Sequence, residues 1–276
     1  LLDTKSLLNF FENNKIDGVF HFAAKSIVSE SIIQPNDYYL NNVAGSINLV
    51  NAMIKNNINK IIFSSTAAVY GSQIVSPISE KVDKIPINPY GKSKLMIENI
   101  IKDMSQLELL QSISFRYFNA AGASFDTDIG EAHKLETHLI PNIINSYLNK
   151  KSFKIFGNSF NTNDGFAVRD YIHVEDICDA HLLGMEHLHN SNNIYEEVNL
   201  GSGIGYSVKE ILDEIEKIIK NKISYVIDKP RKGDPDTLIA DINKAYSLLN
   251  WIPKYNLNQI IKTAIDWHIK YQNEKH

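Results

Sequence analysis

The sequence predicts an α/β protein, with a doubly wound parallel sheet and a smaller mixed α/β domain beside it. Two observations predict this class. Short apolar runs of strand length alternate with longer segments of helical periodicity as far as Phe118, as expected for a parallel sheet with crossover helices. After Asn119 the chain becomes rich in Gly, Asp, Thr and His, which indicates a second structural unit.

The first unit is predicted to contain three buried strands separated by helices. The strands are short apolar runs without polar alternation, at residues 16–24, 60–65 and 112–118. One helix opens after Asp3 and a second covers 36–58. A third begins at Asn88-Pro89 and runs to about 104, because Asn suits the N-cap and Pro the first helical turn.

The second unit is predicted to mix shorter elements. They are a helix at 139–148, a strand at 153–157, a loop at 158–167, a strand end and helix over 172–189 and a strand at 197–200. Ser207 and Glu210 have the spacing of a capping box, which predicts a helix from there to 220. A last helix is expected at the C-terminal end, beyond Pro253.

The composition narrows the classes of function. The 276 residues contain 28 Lys and Arg against 32 Asp and Glu, a net charge of −4, which argues against a nucleic-acid or membrane partner. No apolar run reaches the roughly 18 residues that a transmembrane helix needs. The single cysteine, Cys178, excludes an intrachain disulfide and fits a cytoplasmic protein. Its apolar neighbours predict a small core residue.

The histidines near Cys178 do not predict a metal site. His181, His187 and His189 lie in a helical segment with Asp179 and Glu186, without the Cys/His frame of a zinc site. We interpret them as packing or surface residues, and no metal is predicted.

Polar residues follow all three predicted strands of the first unit, where ligands of open α/β sheets bind. The sharpest local pattern is Tyr90 and Lys94, four residues apart at a helix start and therefore on one face. A lysine ammonium beside the phenol would lower the pKa of Tyr90, so that it could take a proton from a sugar hydroxyl. Thr66, at the end of the preceding strand, could bond the same substrate oxygen.

Six motifs in order then produce a resemblance. They are SSTAAVYG at 64–71, NPYGKSK at 88–94, RYFN at 116–119, VRDYIHV at 168–174, NLGSG at 199–203 and RKGDP at 231–235. Together they resemble the UDP-glucose 4-epimerases of the extended short-chain dehydrogenase/reductase family, over essentially the whole chain. The resemblance implies a Rossmann-type fold whose first strands are missing, bound NAD and a UDP-sugar substrate.

The resemblance also implies residue roles. Tyr90 is the expected catalytic base, with Lys94 as its partner and Thr66 assisting. The expected cofactor contacts are Phe22, Ala23, Ala24, Asn41, Ser64, Tyr90, Lys94, Tyr117 and Phe118. The expected substrate contacts are Thr66, Asn119, His138, Leu139, Phe156, Arg169, Arg231, Asp234 and Leu238, with the two arginines on the diphosphate. Leu238 replaces the bulky Tyr of members restricted to plain hexoses, which predicts conversion of UDP-GlcNAc and UDP-GalNAc as well.

The implied reaction inverts C4 of a UDP-hexose through transient oxidation by NAD. A nucleotide-sugar 4,6-dehydratase is the first alternative, but it has Asp-Glu where Ala67-Ala68 follow Thr66 here. A non-catalytic NAD-binding scaffold is the second, and retention of the catalytic residues counts against it. Helices around 36–57 and 89–105 resemble those of an intersubunit bundle, so a homodimer is expected.

Two departures from the family pattern accompany the resemblance. Ser26 replaces a cofactor-contacting lysine, for which the neighbouring Lys25 is a candidate substitute. The sequence contains no G-x-x-G-x-x-G turn, so roughly the first 55–60 residues of the pattern are expected to be missing, and activity is expected of the intact parent. Residues 1–119 plus about 169–203 are the expected NAD-binding domain. Residues 120–168 plus about 204–276 are the expected UDP-sugar-binding domain.

Overall fold

The structure is a computed structural model that describes residues 1–73, 76–133, 136–192, 194–231 and 233–274. Its strands are β1 (Val19–His21), β2 (Lys60–Thr66), β3 (Gln111–Tyr117), β4 (Asn119–Ala121), β5 (Phe153–Phe156), β6 (Val168–His173), β7 (Tyr195–Leu200), β8 (Gly205–Ser207), β9 (Tyr225–Asp228) and β10 (Thr237–Leu238). Its helices are α1 (Thr4–Glu12), α2 (Val28–Ile33), α3 (Pro35–Tyr38), α4 (Gly45–Lys55), α5 (Pro89–Gln106), α6 (Leu139–Leu148), α7 (Val174–Asn190), α8 (Val208–Ile219), α9 (Asn243–Leu249) and α10 (Leu257–Glu274).

The main sheet is parallel, with strand order β1-β2-β3-β7. Its strands read as unbroken apolar runs because helices cover both faces. Ile61 and Phe63 of β2 pack with α1, α4 and α5 on one face. Ile62, between them, packs with α7 and α9 on the other, since successive side chains of a strand point to opposite faces. This is the predicted doubly wound α/β architecture.

The remaining strands form two smaller sheets beside the main one. In the first, β6 pairs in parallel with β4 and β10 and antiparallel with β8. In the second, β5 pairs in parallel with β9. Helices α6, α8 and α10 close a common apolar core over these strands. The predicted capping box is present, because the Ser207 hydroxyl accepts from the Glu210 amide and Glu210 accepts from the Ser207 amide.

Most predicted elements of the first unit are confirmed, with two differences. The helix predicted over 36–58 consists of α3, a π-helical segment at Tyr39–Ala44 and α4. Strand β1 is shorter than predicted, since residues 22–24 leave the ladder at its end. Six elements that were not predicted, α2, α9, β4, β8, β9 and β10, have two to seven residues each, too few for a periodic pattern to be visible.

Cys178 corrects a sequence-based expectation. It is exposed on α7 rather than buried, although its neighbours Ile177 and Ala180 are both buried in the core. No helix in the described ranges combines the length and apolar character needed to cross a membrane.

Candidate active site

The start of α5 is fixed against the end of β2. Asn88 is the N-cap, and its side chain accepts from the Gly91 amide at 2.8 Å, as the sequence predicts. Gly91 is buried so closely on the turn after β2 that an added Cβ would lie 2.6 Å from the carbonyl oxygen of Ala68. This close approach brings the Tyr90 phenol near the Thr66 hydroxyl.

Burial raises the pKa of Tyr90, and the nearby Thr66 hydroxyl opposes this rise only in part. The ring is half-buried and meets the edge of the buried Tyr38 ring at 6.5 Å. Tyr90 is therefore a neutral phenol near pH 7. The expectation of a lowered pKa for Tyr90 is wrong, because burial outweighs the opposing effect.

Lys94 is almost completely buried and is directed at β2. It is 3% exposed, and its Nζ donates to the carbonyl oxygen of Ser64 at 2.6 Å while lying 4.9 Å from the Phe63 ring centroid. Burial lowers the pKa of Lys94 to about 7, against an opposing effect of Glu98. Lys94 thus titrates near neutral pH, in contact with the strand that carries Ser64 and Thr66.

Ser64 and Tyr117 join the ends of β2 and β3. Burial raises the pKa of the Tyr117 phenol, and the nearby Ser64 side chain opposes this rise. The phenol oxygen lies 2.7 Å from Nε2 of His181 on α7. Nδ1 of His181 lies 2.8 Å from the Ile177 carbonyl oxygen, which can only accept, so Nδ1 carries the proton. Burial lowers the pKa of His181, so its neutral Nε2 accepts from Tyr117. The sequence-based interpretation of His181 was a packing or surface role, and no local pattern connects this residue with Tyr117.

The turn after β1 is exposed on the same side of the sheet. Phe22 is 55% exposed and stacks on His181 at 4.8 Å; Ala23 is exposed and Ala24 is half-buried. Phe118 is buried and its amide donates to Leu200 at 3.0 Å.

Two asparagines lie beside this turn. Asn41 donates to the Asn42 side chain at 2.9 Å. The buried Asn42 holds both the amide and the carbonyl of Lys25, which sequence reasoning missed. Lys25 is the candidate substitute for the family lysine that Ser26 replaces. Its side chain is already paired with two carboxylates, Glu30 at 3.3 Å and Asp37 at 3.7 Å.

A second group of predicted residues gathers around β6 and β10. Leu238 is the register partner of Arg169, and Arg169 pairs with Asp234 while donating to the Val168 carbonyl at 2.7 Å. Asn119 donates to the Asp170 carbonyl at 2.8 Å.

Arg231 and Phe156 lie together. The Arg231 guanidinium lies over the Phe156 ring at 4.2 Å, so an aromatic face and a cation share one position.

His138 is the N-cap of α6, directly before Leu139, and its ring is bonded by two carboxylates. Nδ1 meets Glu131 and lies 3.3 Å from Glu136. These contacts raise the pKa of His138 to about 10. His138, Glu131, Glu136 and His133 together place their potential metal-ligand atoms within 4.8 Å of one another. Several of these groups are already paired within the cluster.

Comparison with known proteins identifies the class of this site. A profile of the NAD dependent epimerase/dehydratase family matches residues 1–201. The chain belongs to this family.

The individual relatives are more specific. The chain is 45% identical over 268 residues to UDP-glucose 4-epimerase of Lactobacillus helveticus, covering 96% of this chain and 81% of the relative. UDP-glucose 4-epimerase of Bifidobacterium longum, solved with NAD+ and UDP, superposes with a TM-score of 0.92 at 35% identity, over 99% of this chain and 82% of that one. The UDP-Glc/GlcNAc 4-epimerase of Campylobacter jejuni gives 0.84 at 38%, over 98% and 82%. The resemblance drawn from the six motifs is confirmed.

Proposed function

We propose that this protein interconverts UDP-glucose and UDP-galactose by inverting C4 of the sugar. One observation carries the proposal: the Tyr90 phenol lies beside the Thr66 hydroxyl, one helical turn from Lys94, at the carboxyl end of β2. The named activity of the L. helveticus relative supports the same reaction.

The residues at the strand ends fit the nicotinamide half of NAD. Hydroxyls of Ser64, Tyr90 and Tyr117 and the amine of Lys94 gather there, which suits a ribose and a carboxamide. We assign cofactor contacts to this group together with Phe22, Ala23, Ala24, Asn41 and Phe118. NAD, when bound, supplies the acceptor and donor of the C4 hydride.

In the proposed mechanism Tyr90 takes the proton of the C4 hydroxyl and later returns it. Thr66 bonds the same oxygen and aligns it with the phenol, so that proton transfer runs over a short, fixed path. Because burial raises the pKa of Tyr90, this step needs a positive charge nearby. A protonated Lys94 supplies that charge, which lowers the cost of forming the phenolate.

The nucleotide end is held so that the sugar can turn. We propose that Arg169, Arg231 and Asn119 bind the diphosphate, Phe156 lies against the uracil, Asp234 bonds the ribose, and His138 and Leu139 contact the nucleotide. A guanidinium can bind two phosphate oxygens at once, so it anchors UDP without contacting the hexose. The 4-keto sugar can then present its other face for reduction.

The turn after Thr66 disfavours a dehydratase. Ala67 is 5% exposed and Ala68 is half-buried, and neither side chain can transfer a proton for elimination across C5 and C6. Epimerisation needs no acid or base at this position.

We further propose that N-acetylated UDP-hexoses are also substrates. Leu238 is half-buried beside Arg169, where a smaller side chain leaves room for an acetamido group. The named activity of the C. jejuni protein on both kinds of sugar supports this range. Leu238→Tyr should lower kcat/KM for UDP-GlcNAc by about 10-fold relative to UDP-glucose, since overpacking costs about 1–3 kcal/mol. An unchanged ratio would show that Leu238 does not gate the pocket.

The proposed organisation is that of a cytoplasmic homodimer with two domains per chain. The NAD-binding domain comprises 1–119 plus about 169–203, and the UDP-sugar-binding domain 120–168 plus about 204–276. Exposed apolar side chains on the helical segments 36–57 and 89–105 support pairing through these helices: Leu40, Ile47 and Met96 are 58%, 39% and 44% exposed. Light scattering should give the mass of a dimer for the wild type and the mass of a monomer for Leu40→Glu.

The function is tested by incubating the complete gene product with UDP-galactose and added NAD and separating the products. We expect UDP-glucose to form until equilibrium is reached. Formation of a 4-keto-6-deoxy product would indicate the dehydratase, and no conversion would indicate the scaffold.

A further inference from the structure

A fully buried charged cluster lies under the catalytic end of the main sheet. Arg116 and Glu98 are both 0% exposed and form a two-pronged pair, with Nε to Oε1 at 3.0 Å and Nη2 to Oε2 at 2.7 Å. Nη2 of Arg116 also forms an ion pair with Oε2 of Glu197 at 2.6 Å, and Nη1 donates to the Tyr70 phenol at 3.0 Å.

Three elements that carry proposed catalytic or cofactor residues, α5, β2 and β3, each send one side chain into this cluster. Glu98 follows Lys94 by one turn of α5 and Tyr90 by two. Ser65 lies between Ser64 and Thr66 on β2, and its hydroxyl donates to Oε1 of Glu98 at 2.5 Å.

Strand β3 contributes in the same way, because Arg116 directly precedes Tyr117. The cluster therefore joins α5, β2 and β3 from the face opposite to the Tyr117–His181 contact.

We propose that Glu98 and Arg116 are positioning residues of the epimerisation reaction: their pair fixes α5 against β2 and β3, so that Tyr90 and Lys94 are held at Thr66 and Ser64. This inference rests on the proposed function. The two parallel bonds of the pair fix the orientation of α5 as well as its distance, which a single contact would not do.

Stability alone does not account for such a pair. Two charges removed from water lose hydration, and apolar residues of similar volume are often as stable in their place. A charged pair at this point offers what an apolar pair lacks, namely directional bonds to three elements and a negative charge near Lys94.

Glu98 also affects the charge of Lys94. Glu98, on its own helix, raises the pKa of Lys94, while burial lowers it. Burial and the charge of Lys94 lower the pKa of His21 on β1 to about 4, so His21 is neutral. Tyr90 is neutral as well, and Arg116 on β3 bonds Glu98 and Glu197, the second of which also pairs with Lys84. Among these groups Glu98 is the one whose charge raises the pKa of Lys94 and so favours its protonated form.

The test is Glu98→Gln in the complete gene product, assayed on UDP-galactose with added NAD across pH 6–9. We expect kcat to fall about 10- to 100-fold, in the range that a misplaced catalytic group produces, with KM and UDP affinity unchanged. The alkaline limb of the profile should move to lower pH by about one unit, because Lys94 loses its proton earlier.

Two further variants separate positioning from folding. Glu216→Gln is the matched control: Glu216 is a buried carboxylate of α8 that accepts from the Ile223 amide, and its loss should leave kcat and the pH profile unchanged. Ser65→Ala keeps both charges and removes only the hydroxyl that orients Glu98, so kcat should fall less, with no shift of the alkaline limb. It provides the test should Glu98→Gln not fold.

The outcomes are distinguishable. An active wild type with unchanged kcat and pH profile in folded Glu98→Gln overturns the positioning role alone. The same holds if Ser65→Ala, with Glu98→Gln unfolded, retains the wild-type kcat. A wild type that does not convert UDP-galactose overturns the proposed function, and this inference with it.

Discussion

The two groups of candidate site residues are built in different ways. The Tyr90 group lies on long, register-fixed elements: Thr66 and Tyr117 are ladder partners, and α5 is locked by its N-cap and by the close approach of Gly91. The Arg169 group lies on the two-residue strand β10, on β6 and on loops, and its charges pair with one another, as Arg169 does with Asp234. The first group is pre-formed for chemistry, whereas the second must exchange internal partners for a ligand.

The largest effect is expected at Tyr90. Tyr90→Phe removes the proposed base without changing the ring, so turnover of UDP-galactose should fall by about 10² or more, while UDP affinity should change little. The comparison variant is Tyr246→Phe, on the exposed side of α9, which should retain wild-type turnover. Unchanged turnover in Tyr90→Phe would remove Tyr90 from the mechanism.

The opposite kinetic signature is expected at Arg231. Arg231→Ala should raise KM by about 10- to 100-fold with a smaller change in kcat, because hydrogen bonds from a cation to phosphate are worth about 1.5–3 kcal/mol. Lys154→Ala, which removes an exposed cation paired with Asp228, is the matched control. A loss confined to kcat would contradict a role in binding.

Thr66→Ala should produce a milder loss than Tyr90→Phe. The variant loses one hydrogen bond to the reacting hydroxyl, worth about 1 kcal/mol, so kcat should fall about 5-fold while Tyr90 still reaches its proton. A loss as large as that of Tyr90→Phe would make Thr66 an equal partner in the proton transfer.

The sequence predicts local features near both groups but not the contacts between separate elements. Asn88-Pro89 and the capping box of Ser207 are local signals, and both are confirmed. The pairing of Arg116 with Glu98 depends on contacts between separate elements, which no local pattern reveals. The pKa of Tyr90 was mispredicted because the i to i+4 spacing shows proximity to Lys94 but not the burial of both groups.

Histidines give the two regions opposite responses to pH. Burial lowers the pKa of His21 to about 4, so its neutral form is favoured in the folded protein and stability falls as pH drops from about 6.5 towards 4. The pKa of His138 is raised to about 10, so its contribution is complete below about 6.5 and is lost as pH rises through 10.

His138→Asn should therefore lower Tm at pH 6 by about 1–3 °C, a small effect because the ring is half-exposed, and should have no effect near pH 10. The control is His189→Asn, at the exposed end of α7, which should shift Tm equally at pH 6 and near pH 10. An equal shift for His138→Asn would mean that its carboxylate contacts do not persist in solution.

The central claim, transient oxidation at C4 with Tyr90 as the base, is tested most directly by isotope retention. UDP-galactose carrying deuterium at C4 is converted by the complete gene product with NAD in ordinary water, and the UDP-glucose formed is analysed by NMR. The account predicts that deuterium stays at C4 of the product, because the hydride is returned to the sugar it came from. Replacement of the deuterium by solvent hydrogen, or failure to form UDP-glucose, would contradict it.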